Sequence, residues 1–207
     1  MLNAVIDISH HNTVTSFQEV KQNGIIGVFH KATQGKAVVD AKYHARRQRA
    51  LDAGLLWGAY HFGTKGNVAQ QVDHFLTTTS PTDTDLLLLD FEPNGESGTM
   101  TRSEAEQFVT LVNQKIGRFP GLYSGQSFLR EKVGSNKTTV LKNCFLWVAR
   151  YSSQLPEAPP AWNTWTLWQY TDGNTGDQPH QVPGIGRCDR DKFNGNLEGL
   201  QRLWGID

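Results

Sequence analysis

Residues 85–92, Asp85-Leu86-Leu87-Leu88-Leu89-Asp90-Phe91-Glu92, decide how the rest of the chain is to be understood. Four consecutive leucines are the pattern of a strand buried on both faces, the kind found in parallel sheets covered by helices. The run ends in two carboxylates, Asp90 and Glu92. Side chains two apart on a strand share a face, so both acids emerge together at the strand's C-terminal end. Two like charges against one wall are costly. Acid pairs whose surroundings split their pKa values are the means by which glycosidic bonds are cut. An isolated Asp-x-Glu is more often an ordinary acidic turn after a strand. The remaining sequence reverses that balance.

Working outward, residues 3–9 (NAVIDIS), 24–33 (GIIGVFHKAT), 55–63 (LLWGAYHFG) and 119–125 (FPGLYSG) read as further strands. Helical stretches follow each strand in turn, at 16–23, 40–53, 67–79, 101–116 and 127–133. The second stops at Gly54, a suitable helix C-terminal glycine. The fourth opens with the capping box Thr101-x-x-Glu104 and places Phe108, Leu111, Val112 and Ile116 on one face. The rhythm then changes. Residues 144–151 (CFLWVARY), 164–171 (TWTLWQYT) and 187–193 (RCDRDKF) are strand-like, but only loops rich in Pro, Ser, Asn and Gly part them, and a helix at 197–203 closes the chain. Five βα units and three further strands give eight strands. The expectation is an α/β fold, a parallel sheet closed into a barrel with helices outside. A doubly wound open sheet would want a Gly-rich phosphate turn after the first strand, and Asp7-Ile8-Ser9-His10-His11-Asn12 is not one.

A length of 207 residues suits one domain, taken as residues 1–207, and is short for a full eightfold barrel, in keeping with the missing late helices. Twenty basic and twenty acidic residues cancel, so no overall field favours nucleic acid or an anionic membrane. No apolar stretch approaches the ~20 residues of a membrane span, and no signal peptide is visible at the N-terminus. Cys144 and Cys188 lie far apart and are expected as buried free thiols. No two histidines are four apart, and His10 and His11 as strand neighbours would face opposite ways, so neither a metal site nor a cofactor is expected.

The C-terminal strand ends of a barrel form one mouth, and here they carry Asp7, Asp90, Glu92 and Asp189. Closure makes the first and eighth strands neighbours, setting Asp7 beside Asp189 with the other pair opposite. Four carboxylates from three strands oppose like charges across a confined space, which packing does not explain. The same strand ends are rich in aromatics. Tyr60, Tyr123, Trp147, Tyr151 and Tyr170 are candidates to stack on sugar rings, and the orientation of Phe62 and Trp168 is left open. Trp57, Trp162, Trp165 and Trp204 are assigned to packing. Lys31 is an isolated cation beside the acids, there either to bond substrate or to balance charge.

In the order and spacing of these segments the chain resembles the family 25 glycoside hydrolases, lysozymes of the Chalaropsis type. The resemblance rests on Val5-Ile6-Asp7-Ile8-Ser9, Lys31-Ala32-Thr33, Ala53-Gly54-Leu55 leading to Gly58-Ala59-Tyr60-His61-Phe62, and Leu89-Asp90-Phe91-Glu92. It continues through Leu146-Trp147-Val148-Ala149-Arg150-Tyr151, Leu167-Trp168-Gln169-Tyr170 and Cys188-Asp189 before Phe193-Asn194-Gly195. It implies a flattened, incomplete eight-stranded barrel and hydrolysis of the β-1,4 bond between N-acetylmuramic acid and N-acetylglucosamine in peptidoglycan. By motif position it makes Glu92 the general acid, Asp90 the second key carboxylate, and Asp7 and Asp189 supporting acids. Two places depart from the pattern. Gln34 stands where many relatives carry Glu, and Asp189-Arg190-Asp191 where Asp-Leu-Asn is usual, adding a charge of each sign at the mouth.

Glu92 must hold its proton near neutral pH, and Asp90, Asp7 and Asp189 nearby would raise its pKa. Two acids so close on one strand do not straddle a sugar ring. The favoured route is therefore attack by the substrate's own N-acetyl group, retaining configuration, with a water-activated inverting route as the alternative. A non-catalytic barrel that binds cell-wall amino sugars is the competing function, and the presence of Glu92 argues against it. The Asp-x-x-Asp-x-Asp-x-Glu run of chitin-cutting barrels is not matched, since Leu88 breaks the series. The partner expected is the peptidoglycan glycan strand, met by a monomer made in the cytoplasm and acting on the wall. Release through a holin or a secretion machine, and an immunity protein in the producing cell, complete the expected partners.

Overall fold

The protein is described by a computed structural model over residues 1–206. Its strands are β1 (Leu2–Ile8), β2 (Gly27–Gln34), β3 (Val38–Val39), β4 (Leu56–Phe62), β5 (Leu86–Asp90), β6 (Gly121–Gly125), β7 (Leu146–Ala149), β8 (Leu167–Thr171), β9 (Gln181–Val182), β10 (Gly186–Arg187) and β11 (Asp189–Phe193). The helices are α1 (Phe17–Gln22), α2 (Tyr43–Asp52), α3 (Val68–Thr79), α4 (Arg102–Ile116), α5 (Gln126–Val133) and α6 (Leu197–Leu203). The order β1-β11-β8-β7-β6-β5-β4-β2, with β2 pairing back onto β1, closes an eight-stranded barrel; β3 is an extra strand on β2. The ring of strands is complete. What is missing is the α-helix after β7 and after β8.

The leucine run behaves as its composition demands. Leu87 and Leu89 face the outer core beneath the helices, while Leu88 faces the barrel interior with Val5, Phe29, Tyr123, Trp147, Leu167 and Phe193. Both cores need the run, so it is apolar throughout. The interior is stoppered at the end away from the mouth by Leu200 and Trp204 from the α6 region. The Trp204 ring lies where a side chain on Gly27, the first residue of β2, would stand, with only 2.9 Å to an added Cβ. Its Nε1 donates to the Trp57 carbonyl at 2.8 Å. Thr101 and Glu104 form both halves of the capping box at the start of α4, and Gly54 follows α2 at φ +75°. Cys144 and Cys188 are buried and unpaired.

One strand runs against expectation. β11 is antiparallel to both β1 and β8, so the sheet is not wholly parallel. The reason lies in the connection. A parallel return needs a crossover, usually a helix, whereas residues after β8 form only the small β9–β10 hairpin at the mouth, from which the chain enters β11. β3, β9, β10 and a 3-10 turn at Val140–Asn143 are too short to show in any sequence period.

Candidate active site

Asp7 pairs directly with Asp189 across the β1–β11 seam. Because β11 is antiparallel, Asp189 is its first residue rather than its last, and that reversal brings it to the mouth where β1 and β5 end. Asp90 closes β5, and Glu92 lies two residues past the strand. The segment still follows β6: Phe91 N–H donates to the Tyr123 carbonyl at 2.9 Å, and Ser124 Oγ to the Phe91 carbonyl at 2.7 Å. Phe91 packs outward against Phe128, which leaves both acids turned inward. All four carboxylates line a cleft of about 280 Å³, with Lys31, Tyr60, Phe62, Tyr123, Trp147 and Tyr151 around them.

Burial dominates the electrostatics. It raises Glu92 to about 7, with the charge of Asp189 adding to the shift. Asp189 rises to about 6 through burial, against a hydrogen bond with Asp7 that lowers it. Asp90 is held well above the usual carboxylate range by burial and then by Glu92, with Lys31 opposing. Asp7 is raised by burial and then by Asp189 and Asp191. Low dielectric and like charge thus keep protons in this mouth that solvent would remove. For Glu92 desolvation comes before any neighbouring acid, where the sequence pointed to the neighbours.

Gln169 ties the two sides together. Its Nε2 donates to Asp7 Oδ2 at 2.7 Å, while its Oε1 accepts from Tyr123 Oη at 2.8 Å and from Tyr151 Oη at 2.9 Å. Trp147, almost fully enclosed, forms part of the floor and donates through Nε1 to Asp191 at 2.9 Å. Lys31 donates to Gln34 Oε1 at 2.6 Å and lies 5.1 Å from the Phe62 ring centre. Burial lowers its pKa, and the charges of Asp90 and Asp40 oppose that shift.

The sequence profile described as Glycosyl hydrolases family 25 matches residues 6–177. The chain belongs to family 25. It is 31% identical to lysozyme M1 of Streptomyces globisporus over 96% of this chain and 70% of that one. It is 25% identical to the N,O-diacetylmuramidase of Chalaropsis sp, covering 95% and 96%. Among solved structures, a muramidase from Acremonium alcalophilum superposes with a TM-score of 0.85 at 27% identity, covering all of both chains. A family 25 lysozyme from Aspergillus fumigatus gives 0.82 at 30% identity, covering 98% of each. The chain is therefore a glycoside hydrolase.

Within this family 25 site, three expectations fail. Tyr170 is not in the cleft. Gln169 faces inward, so the alternation of β8 turns Trp168 and Tyr170 outward. There the Tyr170 hydroxyl meets Asn3 Nδ2 at 3.0 Å and the Pro179 carbonyl at 3.1 Å. Arg190 is likewise outside, bonded to the Gln181 carbonyl and Asn3 Oδ1, so it adds no charge to the mouth. His10 and His11 lie in the turn after β1, not on a strand; their rings are 3.9 Å apart, and His11 joins the cleft. Ser9, Gln169, Asp172 and Leu88 also line it without having been foreseen. Gln169 had a signal in the sequence: it stands between two aromatics on a strand, the place where an inward polar residue shows as a break in the apolar run. Among the described residues no cluster of three or more His, Cys, Asp or Glu is disposed to hold a metal ion.

Proposed function

We propose that residues 1–207 form a single N-acetylmuramidase domain, a lysozyme that hydrolyses the β-1,4 bond between N-acetylmuramic acid and N-acetylglucosamine in peptidoglycan. The observation that carries this is a half-buried Glu92 whose pKa lies at about 7, set beside Asp90 in a cleft walled by tyrosines and a tryptophan. Glu92 gives its proton to the glycosidic oxygen as the bond to the anomeric carbon breaks. The carbonyl oxygen of the substrate's 2-acetamido group attacks that carbon, and Asp90 orients the group and stabilises its developing positive charge. Glu92, now ionised, takes a proton from the water that opens the cyclic intermediate, and the acid is restored with configuration retained. Asp7 and Asp189 hold the field around Glu92. Tyr60, Tyr123 and Tyr151 offer ring faces and hydroxyls to the sugar, and Lys31 reaches substrate hydroxyls from its bond to Gln34.

The working form is a monomer acting on wall glycan. Release by a holin or export by a secretion machine brings it there, with an immunity protein guarding the producer. No described helix is long and apolar enough to cross a membrane. The test is digestion of purified peptidoglycan followed by identification of the new ends. Reducing ends at muramic acid are expected. Peptide cleavage alone, or reducing ends at glucosamine, would overturn the assignment. De-N-acetylated glycan should bind without turnover, and the first product, followed by NMR, should keep its anomeric configuration.

A further inference from the structure

Residues 9–12, which follow β1, form a turn closed by Asn12 N–H to the Ser9 carbonyl at 3.1 Å, and the reaction above does not use it. Two buried side chains from the start of α2 and the segment before it clamp this turn. Arg46 donates through Nη1 to the Ser9 carbonyl at 2.7 Å and through Nη2 to the Asn12 carbonyl at 2.6 Å. Asp40 Oδ2 accepts from His10 N–H and from His10 Nδ1, each at 2.8 Å, and its Oδ1 from Lys42 N–H at 2.9 Å. Lys42 Nζ in turn donates to the His10 carbonyl at 2.8 Å. His30 backs the clamp. Its Nδ1 lies 2.7 Å from the Lys31 carbonyl, which can only accept, so the ring proton sits on Nδ1 and Nε2 accepts from Arg46 Nη1 at 3.2 Å. Burial keeps this imidazole neutral, its pKa lowered to about 4.

Burying an arginine, an aspartate and a histidine carries a desolvation cost that an apolar plug would avoid. What these groups supply is geometry: three of the four carbonyls of one short turn are held by cationic side chains. The residue left over is His11. It lines the cleft, its ring lies 3.9 Å from that of the anchored His10, and among the described residues neither of its ring nitrogens has a protein partner. An imidazole presents a donor and an acceptor, the complement of sugar hydroxyls and acetamido groups. We infer that His11 is a substrate-contacting residue, its ring bonding a hydroxyl or acetamido group of the glycan, and that Asp40, Lys42 and Arg46 are positioning residues that act through it. The inference rests on the proposed wall-glycan substrate. A ring set in place before binding loses less freedom on contact than one on a loose turn. Arg46 achieves this as a fork, one planar group spanning two carbonyls, which a lysine cannot do.

Contact is read by NMR of the imidazole signals, using the turnover-blocked Glu92→Gln protein and a soluble oligomer of alternating N-acetylglucosamine and N-acetylmuramic acid. The His11 signals should shift as the oligomer saturates the protein, and those of enclosed His30 should stay. Shifts elsewhere in the cleft with His11 unmoved would overturn the contact and leave the substrate reading standing. No shift anywhere would overturn both. In the active protein His11→Ala should raise KM for the same oligomer about fivefold or more, with kcat changed less than about threefold. Arg46→Lys keeps the charge but loses the fork, and should raise KM in the same way. Added to His11→Ala it should raise KM further by less than about twofold. Effects that multiply would show that Arg46 does not act through His11. Lys42→Met removes an exposed side chain and decides the matter if Arg46→Lys does not fold: it should raise KM about twofold alone and leave it unchanged on His11→Ala, and an equal effect in both backgrounds would overturn the positioning role.

Discussion

Glu92 keeps its proton because of where it sits, and this has a sign that can be measured. A general acid works only while protonated, so turnover should decline as pH rises through about 7. Removing the Asp189 charge takes away one cause of the raised pKa. Asp189→Asn should therefore move that decline to lower pH, and a decline that stays put would show that Asp189 does not act on Glu92. Glu92→Gln keeps the shape but cannot donate, and turnover should fall by about 10² or more while wall binding survives. The four acids were legible from their places at strand ends. Gln169 and Asp191 stand in segments that carry the resemblance, but the side of the sheet each faces was not read from them. Alternation from Asp189 nevertheless turns Asp191 inward and Arg190 outward, and alternation from Gln169 turns Tyr170 outward. The period that revealed the leucine strand held those answers too.

At the level of elements, whatever depends on neighbours in sequence could be read and whatever depends on connection could not. The capping box of α4, the leucines of β5 and the span of α6 are local patterns and appear where the sequence puts them. The direction of β11 depends on how the chain returns from β8, and no residue in RCDRDKF encodes it. The stopper beyond α6 makes a further test. Trp204 fills the base of the barrel against Gly27 and Phe29, far from the cleft, and is bonded to the Trp57 carbonyl. Trp204→Ala should cost about 3–5 kcal/mol in denaturant unfolding, the range for a large enclosed aromatic. A loss under about 1 kcal/mol would mean the stopper is dispensable, since that is less than truncating a single buried aliphatic side chain usually costs.

Taken as a whole, the molecule is built to be steadier in mild acid than in mild base. Asp7, Asp90, Glu92, Asp189 and Asp191 are all raised, Glu92 to about 7 and Asp189 to about 6. Each contributes stability that is complete below its unfolded pKa, about 4, and lost as pH rises through its folded value. His30 and His61 are lowered to about 4, so their contribution is present above about 6.5 and lost as pH falls through about 4. Where the windows overlap, five carboxyls outweigh two histidines. The melting temperature should be higher at pH 5 than at pH 8. An equal or higher value at pH 8 would show that the mouth ionises without cost.

The seam between β1 and β11 also sets a timetable. Synthesis delivers the N-terminal half first, so Asp7, Asp90 and Glu92 leave the ribosome well before the strand that supplies Asp189. The Gln169–Asp7 bond joins residues 162 positions apart, and contacts of such separation close late. Until β11 slides between β1 and β8 the ring stands open, and the acid set lacks both Asp189 and Asp191. A cutting edge divided between β1, β5 and the later-made β11 stays blunt until β11 is in place, and a chain halted short of β11 never acquires it.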